Sequence, residues 1–158
     1  MKRYWKYIRP YLPFFILGPF LMLSEVAGEI VLPKIMATMI DNGVMQNYGT
    51  SYIIGQALKM AGCILIMICG GIGGHYFSIK ASVLFSADLR KDIFKKVQGF
   101  SFGDVDKFST GSLVTRLTND ITQLQNFVRM ALIMAMRSPG MLIGGIIMAC
   151  SINKELAL

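Results

Sequence analysis

Few residues in this chain are placed to do chemistry, and most of those few lie in apolar surroundings. Glu25 and Glu29 stand one helical turn apart inside a greasy stretch. A charge there is costly in hydrocarbon, and it normally faces a counter-charge or an aqueous cavity. Two readings are open. The acids pair with Lys34, with Arg137 or with a residue outside these 158, or they form an acidic spot that attracts cationic compounds. Arg137, alone in a second apolar stretch, is the mirror case, and these acids are its expected partners. His75 has no Cys, Asp or Glu nearby, so it does not make a metal site and reads as an interfacial or hydrogen-bonded helix residue. Cys63, Cys69 and Cys150 fall in apolar runs, are odd in number and lack ligand spacing; they read as small hydrophobes. A G-x-x-x-x-G-K-S/T phosphate loop does not occur, and the dipeptide Gly-Lys is nowhere in the sequence. The expectation is a chain with no catalytic, cofactor or metal residues of its own. Arg116 and Asp120, at i and i+4, read as an exposed helix pair worth a few tenths of a kcal/mol, or as a support that positions the turn beside them.

These residues must be held by helices in a membrane. The chain has 158 residues, 54% of them hydrophobic, with a mean hydropathy of +0.54. That excludes an ordinary soluble domain of this size. Its net charge of +7 comes from 16 Lys and Arg against 9 Asp and Glu, but the basic residues are sorted by position, which argues against nucleic acid. Lys2, Arg3, Lys6 and Arg9 crowd the start, and Arg90, Lys91, Lys95, Lys96, Lys107 and Arg116 crowd the middle. Between them, residues 41–58 carry one acid and no base. The positive-inside rule then puts the N-terminus and the middle in the cytoplasm and residues 41–52 outside.

Residues 2–12, KRYWKYIRPYL, mix basic and aromatic side chains suited to the headgroup layer, and read as a short interfacial elbow helix. Pro10 and Pro13 are expected to bend it into span one, residues 14–40, which Pro33 kinks and which stops at Asp41-Asn42-Gly43. Span two, residues 53–98, outruns its apolar part. Phe85, Leu89, Ile93 and Val97 continue one helical stripe, with Asp88–Lys91 and Asp92–Lys96 expected as local ion pairs. At 1.5 Å per residue this helix is about 69 Å long, which leaves very roughly 40 Å beyond a bilayer of about 30 Å. Span three, residues 112–152, mirrors it. Leu113, Leu117, Ile121, Leu124 and Val128 form its stripe, and residues 130–152 are apolar apart from Arg137. Two arms thus leave the membrane together and turn at residues 99–111. Gly70 and Gly74 in span two, and Gly140 and Gly144 in span three, have the G-x-x-x-G spacing that lets helices approach closely; a flexible hinge is the alternative. Gly111 reads as relief of crowding where the chain re-enters a helix. Three spans leave the ends on opposite sides, and a further apolar segment starts near Leu158, so the sequence reads as a piece of something longer.

The tip and its flanks resemble bacterial ABC exporters, the multidrug type especially. Phe108 with Thr110-Gly111-Ser112-Leu113-Val114-Thr115-Arg116-Leu117-Thr118-Asn119-Asp120 is similar to their first intracellular loop. LPKIMATMIDNGV, residues 32–44, resembles the outer end of their first helix, while Glu25, Glu29 and Arg137-Ser138-Pro139 resemble a multidrug subgroup. The resemblance implies an all-α transmembrane domain whose long helices extend into the cytoplasm, residues 1–158 being part of a six-helix unit without its nucleotide-binding domain. It implies that residues 102–110 are a coupling helix docking on that domain, through Phe102, Asp104, Asp106, Lys107, Phe108, Thr110 and Gly111. Phe102 or Phe108 would fill the docking groove; both capping the seam between the arms is the plainer alternative. It further implies ATP and Mg in the parent transporter, a second half-transporter, identical or not, the bacterial inner membrane, and export of drugs, lipids or other amphipathic compounds. The competing classes are a stand-alone three-span anchor or scaffold with a cytoplasmic hairpin, and a small proton-coupled exporter, for which the long polar arm is ill suited.

Overall fold

The computed structural model describes residues 2–46, 48–100 and 110–152. A short helix α1 (Lys2–Ile8) leads through a 3-10 turn (Arg9–Tyr11) into α2 (Leu12–Thr38), which widens into a π-helical turn (Met39–Met45). Helix α3 (Thr50–Gln98) follows with 49 residues and no break, about 73 Å at the standard rise. Then α4 (Thr110–Thr115), a π-helical turn (Arg116–Asp120) and α5 (Ile121–Ile152) make one continuous rod. Among the described residues there is no strand. Three helices, Trp5–Met45, Thr50–Gln98 and Gly111–Ser151, are long and apolar enough to cross a membrane. The chain is an all-α membrane protein, as its hydropathy predicts.

Each expected span starts two or three residues inside its observed helix: residue 14 against Leu12, 53 against Thr50, and 112 against Thr110. The break before α2 falls at Tyr11, whose φ of −110° and ψ of 14° leave the helical region. Pro10 and Pro13 occupy the first positions of the 3-10 turn and of α2, where a missing N–H costs nothing. Pro19 and Pro33 both lie inside α2, and the helix continues past them.

The expected stop at Asp41-Asn42-Gly43 is not where the chain turns. The helix runs on to Met45 because the start of α3 holds it. Asn42 Nδ2 donates to Tyr52 Oη at 3.3 Å, and Gly43 is buried so close to Ile53 that an added Cβ would lie 2.9 Å from its Cγ1. The turn comes at Gly49, whose φ of 87° favours glycine.

Helices α2 and α3 share the largest contact, and α5 packs on both. The buried apolar side chains among the described residues are few: Met22, Val26, Ala81, Phe85, Leu89 and Ile121. Most large apolar side chains face outward, such as Phe20, Leu58, Ile72 and Ile147. Such a surface suits lipid or further protein rather than water. The expected stripes do face the seam between the arms. Phe85, Leu89 and Ile121 are buried, and Ile93, Val97, Leu113, Leu117, Leu124 and Val128 are half-buried.

Candidate functional site

Small residues decide how closely the first two spans approach. A Cβ at Gly74 would lie 2.9 Å from Met22 Cγ and 3.0 Å from the Gly18 carbonyl oxygen, and one at Gly70 would overlap Ser24 Oγ. Gly140 and Gly144 receive Val26 and Ile30 of α2 in the same way. The row continues along α3 as Ser78, Ser82 and Ser86, all buried. Their four-residue spacing after Gly70 and Gly74 was legible, but the sequence reading above did not extend the row to them. Ser82 Oγ donates to the carbonyl three residues back, of Ile79 at 2.8 Å, and Ser86 Oγ lies 2.9 Å from the Val83 carbonyl oxygen.

On this scaffold the intramembrane charges meet. Arg137 Nη1 on α5 donates to Glu25 Oε1 at 3.0 Å, and Nη2 donates to Glu29 Oε1 at 2.6 Å, both on α2. One guanidinium thus spans two carboxylates a turn apart, a geometry that suits its planar fork. Lys34 forms no ion pair among the described residues. With one cation to two acids, the cluster keeps a formal charge of −1 when all three are ionised. The second oxygen of each carboxylate is buried without a hydrogen-bond partner among the described residues. Glu25 Oε2 rests against α3 at Gly71, where an added Cβ would stand 3.0 Å away. From there Glu25 borders an open groove of about 640 Å³, with Met67, Ile68, Ile72, His75 and Tyr76 on its walls. His75 is hydrogen-bonded within its own helix, its Nδ1 lying 2.9 Å from the Gly71 carbonyl oxygen.

The arms are joined by polar contacts as well as by the stripes. Ser86 Oγ donates to Gln125 Oε1 at 2.7 Å, and Arg90 Nη2 to Thr122 Oγ1 at 3.4 Å. Past them, three threonines of the segment at 111–122 bond back along their own helix. The hydroxyls of Thr115, Thr118 and Thr122 donate to the carbonyls of Gly111, Val114 and Thr118, four residues back. Such back-bonding perturbs an α-helix, and the π-helical turn lies within this stretch. Arg116 and Asp120 are the ends of that turn rather than neighbours on a regular α-helix. Thr110 opens α4. A Cβ at Gly111 would meet nothing within 4 Å among the described residues. Phe102, Asp104, Asp106, Lys107 and Phe108 lie outside the described residues.

The local ion pairs expected on α3 are absent among the described residues, because Asp92 faces α1 and Asp88 the 3-10 turn after it. Asp92 Oδ2 accepts from Lys6 Nζ at 3.2 Å and from Tyr7 Oη at 2.9 Å, rather than pairing with Lys96. Asp88 Oδ2 accepts from Tyr11 Oη at 2.9 Å, rather than pairing with Lys91. The Tyr7 ring stands edge-on to Phe85 at 6.3 Å. The elbow is thereby tied to the root of the arm. The only signals in the sequence were Asp88 and Asp92 one turn apart and a phenol-rich N-terminus.

The family described as the ABC transporter transmembrane region matches residues 15–158. The chain is 34% identical over 157 residues to an uncharacterized ABC transporter ATP-binding protein, YfiB, of Bacillus subtilis (strain 168), covering 99% of this chain and 27% of that protein. It is 31% identical over 153 residues to an uncharacterized ABC transporter ATP-binding protein of Mycobacterium tuberculosis (strain ATCC 25618 / H37Rv), covering 97% of this chain and 26% of that one. The chain thus spans about a quarter of the length of the curated relatives it matches.

Proposed function

The chain belongs to the ABC transporter transmembrane region family, and from that premise we propose that it lines part of the path of an ATP-driven exporter and carries, at residues 102–110, the first contact with a nucleotide-binding domain. The observation that supports this is the paired arm. Helix α3 and the rod at 110–152 run on past their apolar stretches, packed along matching stripes and pinned by Ser86 to Gln125. A stiff hairpin of this kind transmits displacement from its tip to the membrane, as packed helices do in rigid-body transitions.

In this reading ATP and Mg act in the nucleotide-binding domain of the longer protein, and two half-transporters make the working unit. The N-terminus and the tip are cytoplasmic in the bacterial inner membrane. Amphipathic compounds, drugs or lipids among them, are the cargo. The groove beside Glu25 and the formal charge of −1 on its cluster support a place for that cargo in the membrane.

The test is Phe108→Ala in the complete transporter. Truncating an aromatic anchor in a protein groove costs about 2 kcal/mol or more, while the stripes that hold the arms are untouched. Expression and membrane insertion should stay near wild type, and transport should fall and uncouple from ATP hydrolysis. Substrate-stimulated ATPase measured beside transport in vesicles reads this out, with cysteine cross-linking from position 106 to the nucleotide-binding domain. Normal coupling rejects Phe108 as the anchor. Absence of cross-links from every position in 102–110 rejects docking by the tip.

A further inference from the structure

Beneath the elbow helix lies a cavity of about 510 Å³ that the exporter reading does not use. It is lined by Trp5 and Ile8 of α1, Phe15 of α2, Phe85 of α3, and Leu124, Phe127 and Val128 of α5. The lining is aromatic and aliphatic, yet Trp5 and Phe127 are 56% and 67% exposed. The site is held open by fixed elements. The two phenols and Lys6 anchor α1 to Asp88 and Asp92, and Phe85 is pinned edge-on under Tyr7. Its Phe85 end lies on the membrane side of that polar clamp, since Phe85 ends the apolar run of α3 and Asp88 begins the charged extension.

The rim is basic. Lys2, Arg3, Lys6 and Arg9 precede the first acid of the chain, Glu25, and Arg9 is exposed one residue beyond the lining Ile8. The acids of the clamp already accept bonds from Lys6, Tyr7 and Tyr11. Arg129, next to the lining Val128, has its Nε buried without a hydrogen-bond partner among the described residues. An apolar slot beside an elbow whose four basic residues, Lys2, Arg3, Lys6 and Arg9, outnumber the two facing acids, Asp88 and Asp92, matches one kind of molecule in both halves.

We propose that this cavity takes an acyl chain of an anionic phospholipid from the leaflet on which α1 lies, with the phosphate held by the basic elbow. The bound lipid is then part of what seats α1 on the bundle. This requires only that the chain lie in a bilayer, and it stands or falls apart from docking by the tip.

Trp5 is the one tryptophan in the sequence and it lines the site, so it reports on the cavity directly. The full chain goes into nanodiscs carrying phosphatidylglycerol brominated on its acyl chains within unlabelled phosphatidylcholine, and into the reverse mixture. Brominated phosphatidylglycerol should quench Trp5 saturably, at a mole fraction about fivefold below that needed with brominated phosphatidylcholine. Arg9→Gln should remove most of that preference, since about fivefold is the contribution of one basic residue at an anionic surface. Val128→Phe, which narrows the cavity, should weaken the saturable component with helix content unchanged. Native mass spectrometry of the unsubstituted chain should retain phosphatidylglycerol in preference to phosphatidylcholine, a readout independent of how the variants fold. Equal quenching by the two lipids, which is the behaviour of a ring merely lying in the interface, overturns the proposal. So does the absence of quenching by either, which means that protein covers the cavity, or saturable quenching that Val128→Phe leaves unchanged.

Discussion

The residue that does most in this molecule is Arg137. It holds Glu25 and Glu29 at 3.0 Å or less from its two terminal nitrogens, and it does so between separate helices. The side chains are partly sheltered, 37% exposed for the arginine and 19% and 25% for the acids. Removing the cation leaves two carboxylates facing each other in a poorly solvated place. Breaking a fully buried pair costs about 3–5 kcal/mol; with this much exposure, about 2–3 kcal/mol is expected. Arg137→Gln should therefore lower the amount of protein in the membrane and its thermal midpoint in detergent. Arg137→Gln combined with Glu25→Gln and Glu29→Gln removes the stranded charges and should recover most of the loss. If the triple variant is as damaged as the single one, charge compensation is not what Arg137 supplies.

At the scale of elements, the approach of α2 and α3 depends on absent side chains. Packing and hinging are competing accounts of the same glycines, and the structure separates them by giving two kinds of glycine on one helix. At Gly74 a methyl group meets Met22 and the Gly18 carbonyl oxygen at 2.9 and 3.0 Å; at Gly62 it meets nothing within 4 Å. Met22 can rotate away, but the carbonyl belongs to the backbone of α2. Gly74→Ala should cost about 1–2 kcal/mol, toward the lower end of overpacking penalties because only one methyl is added. Gly62→Ala should be neutral or stabilising, by up to about 1 kcal/mol, because alanine favours the helix. Unfolding of the purified chain in mixed micelles measures both. Equal damage at the two positions would favour backbone flexibility over packing as the reason for glycine.

The whole molecule has almost no core of its own. Its apolar surface is arranged around three long helices, and the apolar membrane-spanning stretch of the rod at 111–151 buries none of its residues among the described ones. The bilayer, with whatever protein adjoins it, takes the place of a core, and charge sorting sets the orientation. The loop between α2 and α3 carries the single acid Asp41, whereas the end of α3 carries Lys91, Lys95 and Lys96. In a background with Cys63, Cys69 and Cys150 replaced by serine, a cysteine at Tyr48, which is 63% exposed, should react with an impermeant maleimide applied to sealed cells. A cysteine at Lys95, exposed on the arm, should react only after permeabilisation. The reverse pattern would invert the molecule and overturn the proposed docking by the tip.

Much of this was legible in the residues alone. Helix number and type, the length of α3 beyond its apolar stretch, and the faces that pair the arms follow from hydropathy and four-residue spacing. In lipid every backbone group must be satisfied within its own segment, so length and polarity nearly determine a spanning helix. Other features were decided only when helices met. Asp92 had Lys96 four residues away and took Lys6 and Tyr7 instead, 86 and 85 residues distant. The helix end expected at Asp41-Asn42-Gly43 moved to Met45 because Asn42 and Gly43 rest on α3, and the turn fell to Gly49. Arg137 was matched to the right acids, yet nothing local could show that both would share it across 112 and 108 residues. Spacing rules rank partners along one helix. A partner on another helix is chosen by how closely two backbones can approach, and here that distance is decided by Gly18, Gly70 and Gly74 only once α2 and α3 lie side by side.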